Sequence, residues 1–561
     1  PTTRASVACV TISMQRLLAR STALRQNGWR SSFIAATDKI PTPFNNNNCH
    51  SGQFCVGLRG RRSVYTWKTT PSLTKIVATI GPVSEDFETL QKVVDAGMRV
   101  MRVNFSHATF EEAELRLKNL RACKGKHARA LEMGHNVRAV LLDTQGPEIR
   151  TGMVKGGGKI ELTKGSTIEL TTDPSVREEC TAERLFVSYE GLTGAVSVGS
   201  AILLDDGQVS VRVTDVKDVS VTGLVENNGS IKSRRGVNLP GAKVDLPALS
   251  DKDKVDISYG ITNDVDFVAA SFVRKADDVR SIRKFIAEVH DKHWPEDHPP
   301  ARIISKIENL EAVDNFAEIL ELSDGIMVAR GDLGVELPAE QVTNLQKMMV
   351  RECNRVGKPV IVATQMLESM QTNPRPTRAE VSDVTNAVYD GADAVMLSGE
   401  SAQGRYPVDS VYMMGRIIDE AERWKSAHPE LVLPREVDVG TSMEEGIASA
   451  AVHAAATLKA KLIVVVTRKG LLARLVAKFK PNVPVMCSCP TQKIGRQLIL
   501  HRGLHPLVLD DQQPTSKQPH EAVRLAAHAG LCAPGDTVIV AYRDHERRSG
   551  SDELALKVVT V

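Results

Sequence analysis

The chain has few aromatics, no long apolar run, almost no net charge and no paired cysteines. Each absence closes off a class of protein. No stretch approaches the roughly 20 apolar residues of a membrane-spanning helix. A formal net charge of +3 over 561 residues leaves no electrostatic footprint for nucleic acid or an anionic membrane. Nine cysteines, an odd number without a Cys-x-x-Cys pair, argue against a disulfide scaffold and a zinc site, and fit a reducing compartment. The closest two, Cys487 and Cys489, belong to an apolar run and read as core thiols. A Walker-type Gly-x-x-x-x-Gly-Lys loop is missing as well. What remains, 42% hydrophobic and 25% charged, is an ordinary globular composition whose length implies about three or four domains.

Acidic side chains are what the first 74 residues lack: ten Arg or Lys stand against a single Asp38. Within Met14–Gln26, Arg16 and Arg20 lie one helical turn apart among leucines. Arg-rich, acid-poor and amphipathic is the profile of an organellar transit peptide, so residues 1–73 are expected to be an address for a mitochondrion, ahead of a plastid. The alternatives are a disordered basic tail with no address, on a cytoplasmic protein, or a start misplaced ahead of Met14, since Pro1 is no initiator.

From Thr74 the pattern alternates. Apolar strand candidates are 75–80, 100–105, 139–142, 265–271, 302–307, 325–329, 359–363 and 394–397, with helical stretches such as 86–96, 276–290, 310–320, 339–356 and 377–389 between them. Eight strands alternating with helices predict an α/β fold built on a closed (β/α)8 TIM barrel, residues 74–147 and 247–424. The interval 148–246 breaks the rhythm with alternating Val, Thr and Gly. Asp206-Gly207 and Asn228-Gly229 are hairpin signals, so an all-β lid is expected there. After a linker near 429–434, a second alternation predicts a C-terminal open-sheet α/β domain over 425–561, with strands at 462–466, 483–487, 506–509, 537–542 and 556–560.

All barrel strands but the first end in polar residues, and in such barrels chemistry sits at the C-terminal strand ends. Lys306 and Glu308, two apart on one strand, share a face. An ammonium beside a metal-holding carboxylate suits phosphate chemistry; the bland alternative is an ion pair at the sheet rim. Arg102, Asn104 and Ser106 likewise share a face, beside Asp143-Thr144. One carboxylate among neutral oxygens is sparse for a divalent ion and more natural for K⁺, or these are rim residues bonded to one another and to water. Glu308 and Asp332 on adjacent strands suit Mg²⁺. Gly331 and Asp332, at a short helix start with Thr364 nearby, suit a bound carboxylate or phosphate.

The segments Thr74–Pro82, Arg102–His107, Leu142–Gly152, Ile304–Asn309, Met327–Gly334, Ala363–Met370, Pro374–Glu380 and Leu397–Glu400 resemble the pyruvate kinase family, in its order and over about residues 74–561. The resemblance implies transfer of a phosphoryl group from phosphoenolpyruvate to ADP, giving pyruvate and ATP. Lys306 would stabilise the phosphoryl group in flight and the enolate. Glu308 and Asp332 would hold Mg²⁺; Gly331, Asp332 and Thr364 would hold the substrate carboxylate, with Thr364 near the proton path. Arg102 would contact the phosphoryl group. Asn104, Ser106, Asp143 and Thr144 would ligate K⁺; Asn104, His107 and Arg150 would face the nucleotide; and the assembly would be a homotetramer.

Departures matter too. Ala108 replaces the family's usual Gly, and Gln145 stands where K⁺-dependent members carry Lys, although Glu148, the residue associated with K⁺ dependence, is present. In the C-terminal domain, Lys469 and Leu472 replace hydroxyl positions of the loop that binds fructose 1,6-bisphosphate in regulated members. The second half of that site falls at Arg543–Ser551, so insensitivity to the bisphosphate is expected. Rival readings are a non-catalytic binding paralogue, against which Lys306, Glu308 and Asp332 all stand, and another Mg²⁺-dependent barrel enzyme, which would lack the lid and C-terminal domain.

Overall fold

The computed structural model describes residues 71–125, 129, 136–428, 437, 440, 442–509, 518–544 and 553–561. Residues 1–70 of the expected address segment, the 429–434 linker and most of the 543–551 loop lie outside the described residues. Strands β1 (Lys75–Thr79), β2 (Met98–Asn104) and β3 (Ala139–Asp143) open the barrel. Then come β4 (Lys159–Leu162), β5 (Thr167–Thr171), β6 (Arg184–Phe186), β7 (Ala201–Leu204), β8 (Val209–Val216), β9 (Ser220–Val225), β10 (Gly229–Lys232) and β11 (Val237–Asn238) of the insertion. The barrel resumes with β12 (Phe267–Ala270), β13 (Arg302–Ile307), β14 (Gly325–Ala329), β15 (Val360–Ala363) and β16 (Ala394–Leu397), and closes in the order β1-β16-β15-β14-β13-β12-β3-β2.

The strands are buried on both faces, which is why they read as continuous apolar runs. Val77, Leu141, Phe267, Ile304, Met327 and Ile361 fill the interior, and Ile499 and Leu500 of the C-terminal domain close its floor. Alternate residues such as Ile76, Ile303 and Val362 pack outward beneath the helices. The helices start and stop where their caps dictate. Asp86 accepts from the Thr89 N–H at 3.0 Å ahead of helix Phe87–Ala96. Thr377 and Glu380 form a capping box ahead of helix Arg378–Asp390. Among the helices, the stretch 310–320 is not the single helix expected but two, Leu310–Asp314 and Phe316–Leu322. The break is at Asn315, whose Nδ2 donates to the Arg274 carbonyl at 2.9 Å.

The lid is a six-stranded sheet, β11-β7-β8-β9-β5-β6, with a separate β10-β4 pair. Asp206-Gly207 does turn a hairpin, β7 to β8, with Asp205 and Asp206 both left-handed at φ 52° and 54°. Asn228-Gly229 does not: β10 pairs with β4. The Asn228 side chain accepts from the Lys164 N–H at 2.7 Å, tying it to the β4–β5 turn and leading the chain away from β9.

The C-terminal sheet runs β19-β18-β17-β20-β21, with β17 (Leu462–Val466), β18 (Val485–Cys489), β19 (Leu504–Val508), β20 (Thr537–Asp544) and β21 (Glu553–Thr560). Two strands sit about two residues away from their expected places. Pro506 lies inside β19 rather than opening it, tolerated because β19 is an edge strand. Leu472 is turned inward and packs with Ala473 and Val476 in the core. All six cysteines among the described residues are free and buried, Cys487 and Cys489 included. Among the described residues no helix is long and apolar enough to cross a membrane.

Candidate active site

At the C-terminal mouth of the barrel, β13 brings Lys306 and Glu308 together as their spacing predicts, with Nζ 2.8 Å from Glu308 Oε1. The ammonium is shared. It lies 3.2 Å from Asp143 Oδ1 at the end of β3 and donates to Ser271 Oγ at 2.7 Å. Asp143 is fully buried and its other oxygen takes Arg102 Nε at 2.6 Å. Arg102 also donates to Thr79 Oγ1 at 2.9 Å. Burial opposes charge on both Lys306 and Asp143. Their mutual attraction, with Arg102 on one side and Glu308 and Asp332 on the other, outweighs it, so Lys306 is held above the usual lysine range and Asp143 below the usual carboxylate range.

Glu308 and Asp332 have the opposite balance. Burial pushes the Glu308 carboxyl up against the pull of Lys306, and the Asp332 charge adds to the push. Asp332 is pushed up by burial as well, with Asp206 and Asp143 adding, and lies within hydrogen-bonding reach of Glu308. Two carboxyls held out of water with too little positive charge between them form a place for a cation. Among the described residues no cluster of three or more acidic, His or Cys groups is gathered around a metal position. A two-carboxylate site suits Mg²⁺, which keeps several waters or substrate oxygens. The K⁺ candidates lie at the adjoining ends of β2 and β3. Asn104 and Asp143 are register partners on β2 and β3, Asn104 Oδ1 accepts from the Ser106 N–H at 3.1 Å, and Thr144 Oγ1 accepts from the Ser271 N–H at 3.1 Å. With the Asp143 charge matched by Arg102 and Lys306, the remaining set is mostly neutral oxygen, which fits a monovalent ion.

Gly331 and Thr364 meet differently from expectation. The Gly331 N–H is not free for an anion: it donates to Thr364 Oγ1 at 2.8 Å. The hydroxyl in turn donates to the Ala363 carbonyl at 2.6 Å. Thr364 and Gln365 follow β15 in the left-handed region, at φ 68° and 53°, each costing about 1–3 kcal/mol. His107 is exposed and Arg150 sits at the base of the lid, its Nη2 2.6 Å from Glu148 Oε2. Although the side chain is largely exposed, desolvation of its covered part, with Arg102 and Arg150 nearby, pushes the His107 imidazole down. A cleft runs between lid and barrel, with Glu148, Asp206, Asn238, Phe272, Arg274 and Asp332 on its walls.

Sequence reasoning gave no role to four residues that support this mouth. Ser271 receives Lys306. Phe272, left-handed at φ 54°, donates its N–H to Glu308 Oε2 at 2.5 Å. Glu400, fully buried, accepts from the N–H groups of Leu367 (3.0 Å) and Ser398 (2.7 Å). Arg330 grips the Thr364 turn. The charges of Arg330 and Glu400 at strand ends were visible signals; the positive φ of Phe272 had none. Gly146 beside them is forced: at φ 77°, a Cβ would lie 2.7 Å from the Phe272 ring and 2.8 Å from Ser271 Cβ.

Comparison with known proteins places this architecture. Residues 72–411 match the family model for the pyruvate kinase barrel domain, and 445–558 that for the pyruvate kinase alpha/beta domain. A pyruvate kinase of Bacillus licheniformis is 44% identical over 471 residues, covering 83% of this chain and 77% of the relative. One from Staphylococcus epidermidis is 45% identical over 469 residues, with the same coverage. The crystal structure of a pyruvate kinase from Cryptosporidium parvum superposes with a TM-score of 0.78 at 39% identity, covering 87% of this chain and 96% of that one. With barrel, inserted lid and C-terminal domain all matched in order, the chain belongs to the pyruvate kinase family.

Proposed function

We infer that this chain moves the phosphoryl group of phosphoenolpyruvate to ADP, with Lys306 at the centre of the transfer. The observation that carries the reading is the Lys306 ammonium, held charged between Asp143 and Glu308 at the barrel mouth. The bond between phosphorus and the enol oxygen breaks, a bond to a β-phosphate oxygen of ADP forms, and the enolate left behind takes a proton at C3. Such transfer asks the protein mainly for placement and for positive charge on spread-out oxygens. Lys306 and Arg102 supply charge that is already oriented and out of water. Thr364 Oγ1, fixed by Gly331 and Ala363, stands by the carboxylate and the C3 proton path. Asn104, His107 and Arg150 face the nucleotide.

Glu308 and Asp332 would hold Mg²⁺, and Asn104, Ser106, Asp143 and Thr144 would hold K⁺. Both cations, when bound, add positive charge at the phosphoryl oxygens. A lactate-dehydrogenase-coupled assay with phosphoenolpyruvate and ADP tests the reaction. Activity is expected to vanish when a chelator removes divalent ions, and to fall at least tenfold (about 1.4 kcal/mol) when K⁺ gives way to a bulky organic cation at constant ionic strength. Unchanged activity in the second case would mean that Gln145 marks a relieved K⁺ requirement.

The family resemblance supports a homotetramer, to be read by light scattering. Composition supports an organellar address in residues 1–73, to be read by import of a fluorescent fusion.

A further inference from the structure

We propose that Arg330 is a positioning residue that fixes the Thr364 hydroxyl for proton transfer, a role that rests on the reaction inferred above. Thr364 is β-branched and left-handed, and Gln365 repeats the conformation. Such a pair persists only where its surroundings over-determine it. Arg330 supplies most of that restraint. Its Nη2 donates to the Thr364 carbonyl at 2.6 Å and lies 2.9 Å from Met366 Sδ. Its Nε donates to the Ala363 carbonyl at 3.2 Å. Nη1 anchors the other end of the fork, on Asp383 at 2.7 Å and Gln346 at 3.3 Å.

One planar guanidinium therefore holds the backbone on both sides of the peptide that carries Thr364. The carbonyl of Ala363 also receives the Thr364 hydroxyl, while Gly331, the next residue after Arg330, donates its N–H to the same hydroxyl. Arg330 thus sets both hydrogen-bond partners of Thr364 Oγ1. From the far side Glu400 holds Leu367 and Ser398, so the turn is clamped at each end. A lysine can reach one or two of these acceptors but cannot span them as a five-donor fork does.

The test compares Arg330→Gln, Arg330→Lys, Thr364→Ala and the Arg330→Gln/Thr364→Ala double variant in the full chain. It reads kcat, KM for phosphoenolpyruvate, and deuterium entry at C3 of pyruvate in D2O by NMR. Arg330→Gln is expected to lower kcat and C3 exchange by about 10–100-fold, part of what a proton-transfer group contributes, with KM within about threefold. Arg330→Lys recovers part of the loss. The double variant is no slower than Thr364→Ala alone, because the arginine acts only through that hydroxyl. Asp383→Asn, which cuts the anchoring ion pair but leaves the carbonyl contacts, stays within about twofold.

Additive losses in the double variant, a loss confined to KM, or a fully active Thr364→Ala each overturn the proposal. If Arg330→Gln does not fold, the same cycle run with Arg330→Lys decides it. An unaltered chain that fails to transfer phosphate to ADP would instead sink the reaction, leaving the bracing geometry aside.

Discussion

The barrel has two buried ionic clusters, one at its mouth and one at its floor, and they are built on opposite plans. At the floor, the C-terminal domain sends Lys493 and Arg496 onto Asp264 and Asp266. Lys493 Nζ is 2.8 Å from Asp264 and Arg496 Nε is 2.8 Å from Asp266. Nearby, Lys480 lies 2.7 Å from Asp393, which also accepts from the N–H groups of Arg502 and Val360. These carboxylates are matched: Asp264 and Asp393 are held below the usual carboxylate range against burial by the lysines and arginines. At the mouth the charges are as dense, but Glu308 and Asp332 are pushed up, and the backbone around them is left-handed at Phe272, Thr364 and Gln365. Charge density alone therefore says little about function. An unbalanced set marks the reacting end and a balanced set marks a clamp; backbone strain does not separate them, since Asp264 and Lys480 at the floor are left-handed too, at φ 56° and 46°.

The largest effect is expected from removing the Lys306 ammonium. Lys306→Met should lower kcat by about a thousandfold or more while phosphoenolpyruvate binding stays largely intact, since the charge is aimed at oxygens that gain charge only in the transition state. Stopped-flow or coupled kinetics measure it, and a kcat within about tenfold of the parent would take Lys306 out of its role.

At the floor the same kind of deletion should act on stability instead. Arg496→Met leaves Asp264 with Lys493 and the His298 ring, and Asp266 with Lys493 and the more distant Arg121. Breaking one partner of a buried pair costs about 3–5 kcal/mol. A lower urea midpoint is expected, with kcat of the folded enzyme within about twofold of the parent because the sites are far apart along the barrel axis. A large fall in kcat at unchanged stability would erase the distinction between clamp and site.

Much of this was legible in the sequence because a barrel strand is buried on both faces and ends in polar residues, so β13 and β14 were placed to the residue and Lys306, Glu308 and Asp332 stood out at their ends. What was not legible depends on contacts far apart in sequence. Asn315 breaks a helix because Arg274 offers a carbonyl. Asn228 leads β10 to β4 because Lys164 is there to bond. Gly331 spends its N–H on Thr364, 33 residues away. The strain at Phe272 and Thr364 runs against local preference, and no local pattern announces it.

The floor offers a pH handle on the comparison. Burial pushes the His501 imidazole down to about 3, with Asp393 opposing and Arg474, Arg302 and Lys480 assisting. Unfolded, it titrates near 6.5. Between about pH 6.5 and 3 the unfolded chain binds a proton that the folded chain does not, so stability falls as pH falls, by about 1.4 kcal/mol per pH unit. From pH 6.5, where the unfolded imidazole is half protonated, to pH 4.5 that is about 2.3 kcal/mol from this one group. Urea midpoints at the two pH values should draw together in His501→Gln relative to the parent; parallel shifts would show that the floor's sensitivity lies elsewhere.

The smallest expected effect concerns whether the floor transmits anything. If it is a static clamp, a sugar bisphosphate at the C-terminal domain should leave the mouth unchanged. The loop after β17 supports that expectation in a different way from its sequence. Thr467 Oγ1 is occupied by the Gly470 N–H at 3.0 Å, and Leu472 faces the core, so it offers a phosphate no donor while presenting no bulk either. Arg468 and Lys469 are the exposed cations of the loop, too few for the several converging donors a phosphate needs. Phosphoenolpyruvate saturation curves with and without millimolar fructose 1,6-bisphosphate should therefore superimpose, with half-saturation within about 1.5-fold, a difference of about 0.2 kcal/mol. A severalfold drop would mean that the paired charges of the floor couple the C-terminal domain to the mouth. The same curves in Arg496→Met would then show the coupling weakened.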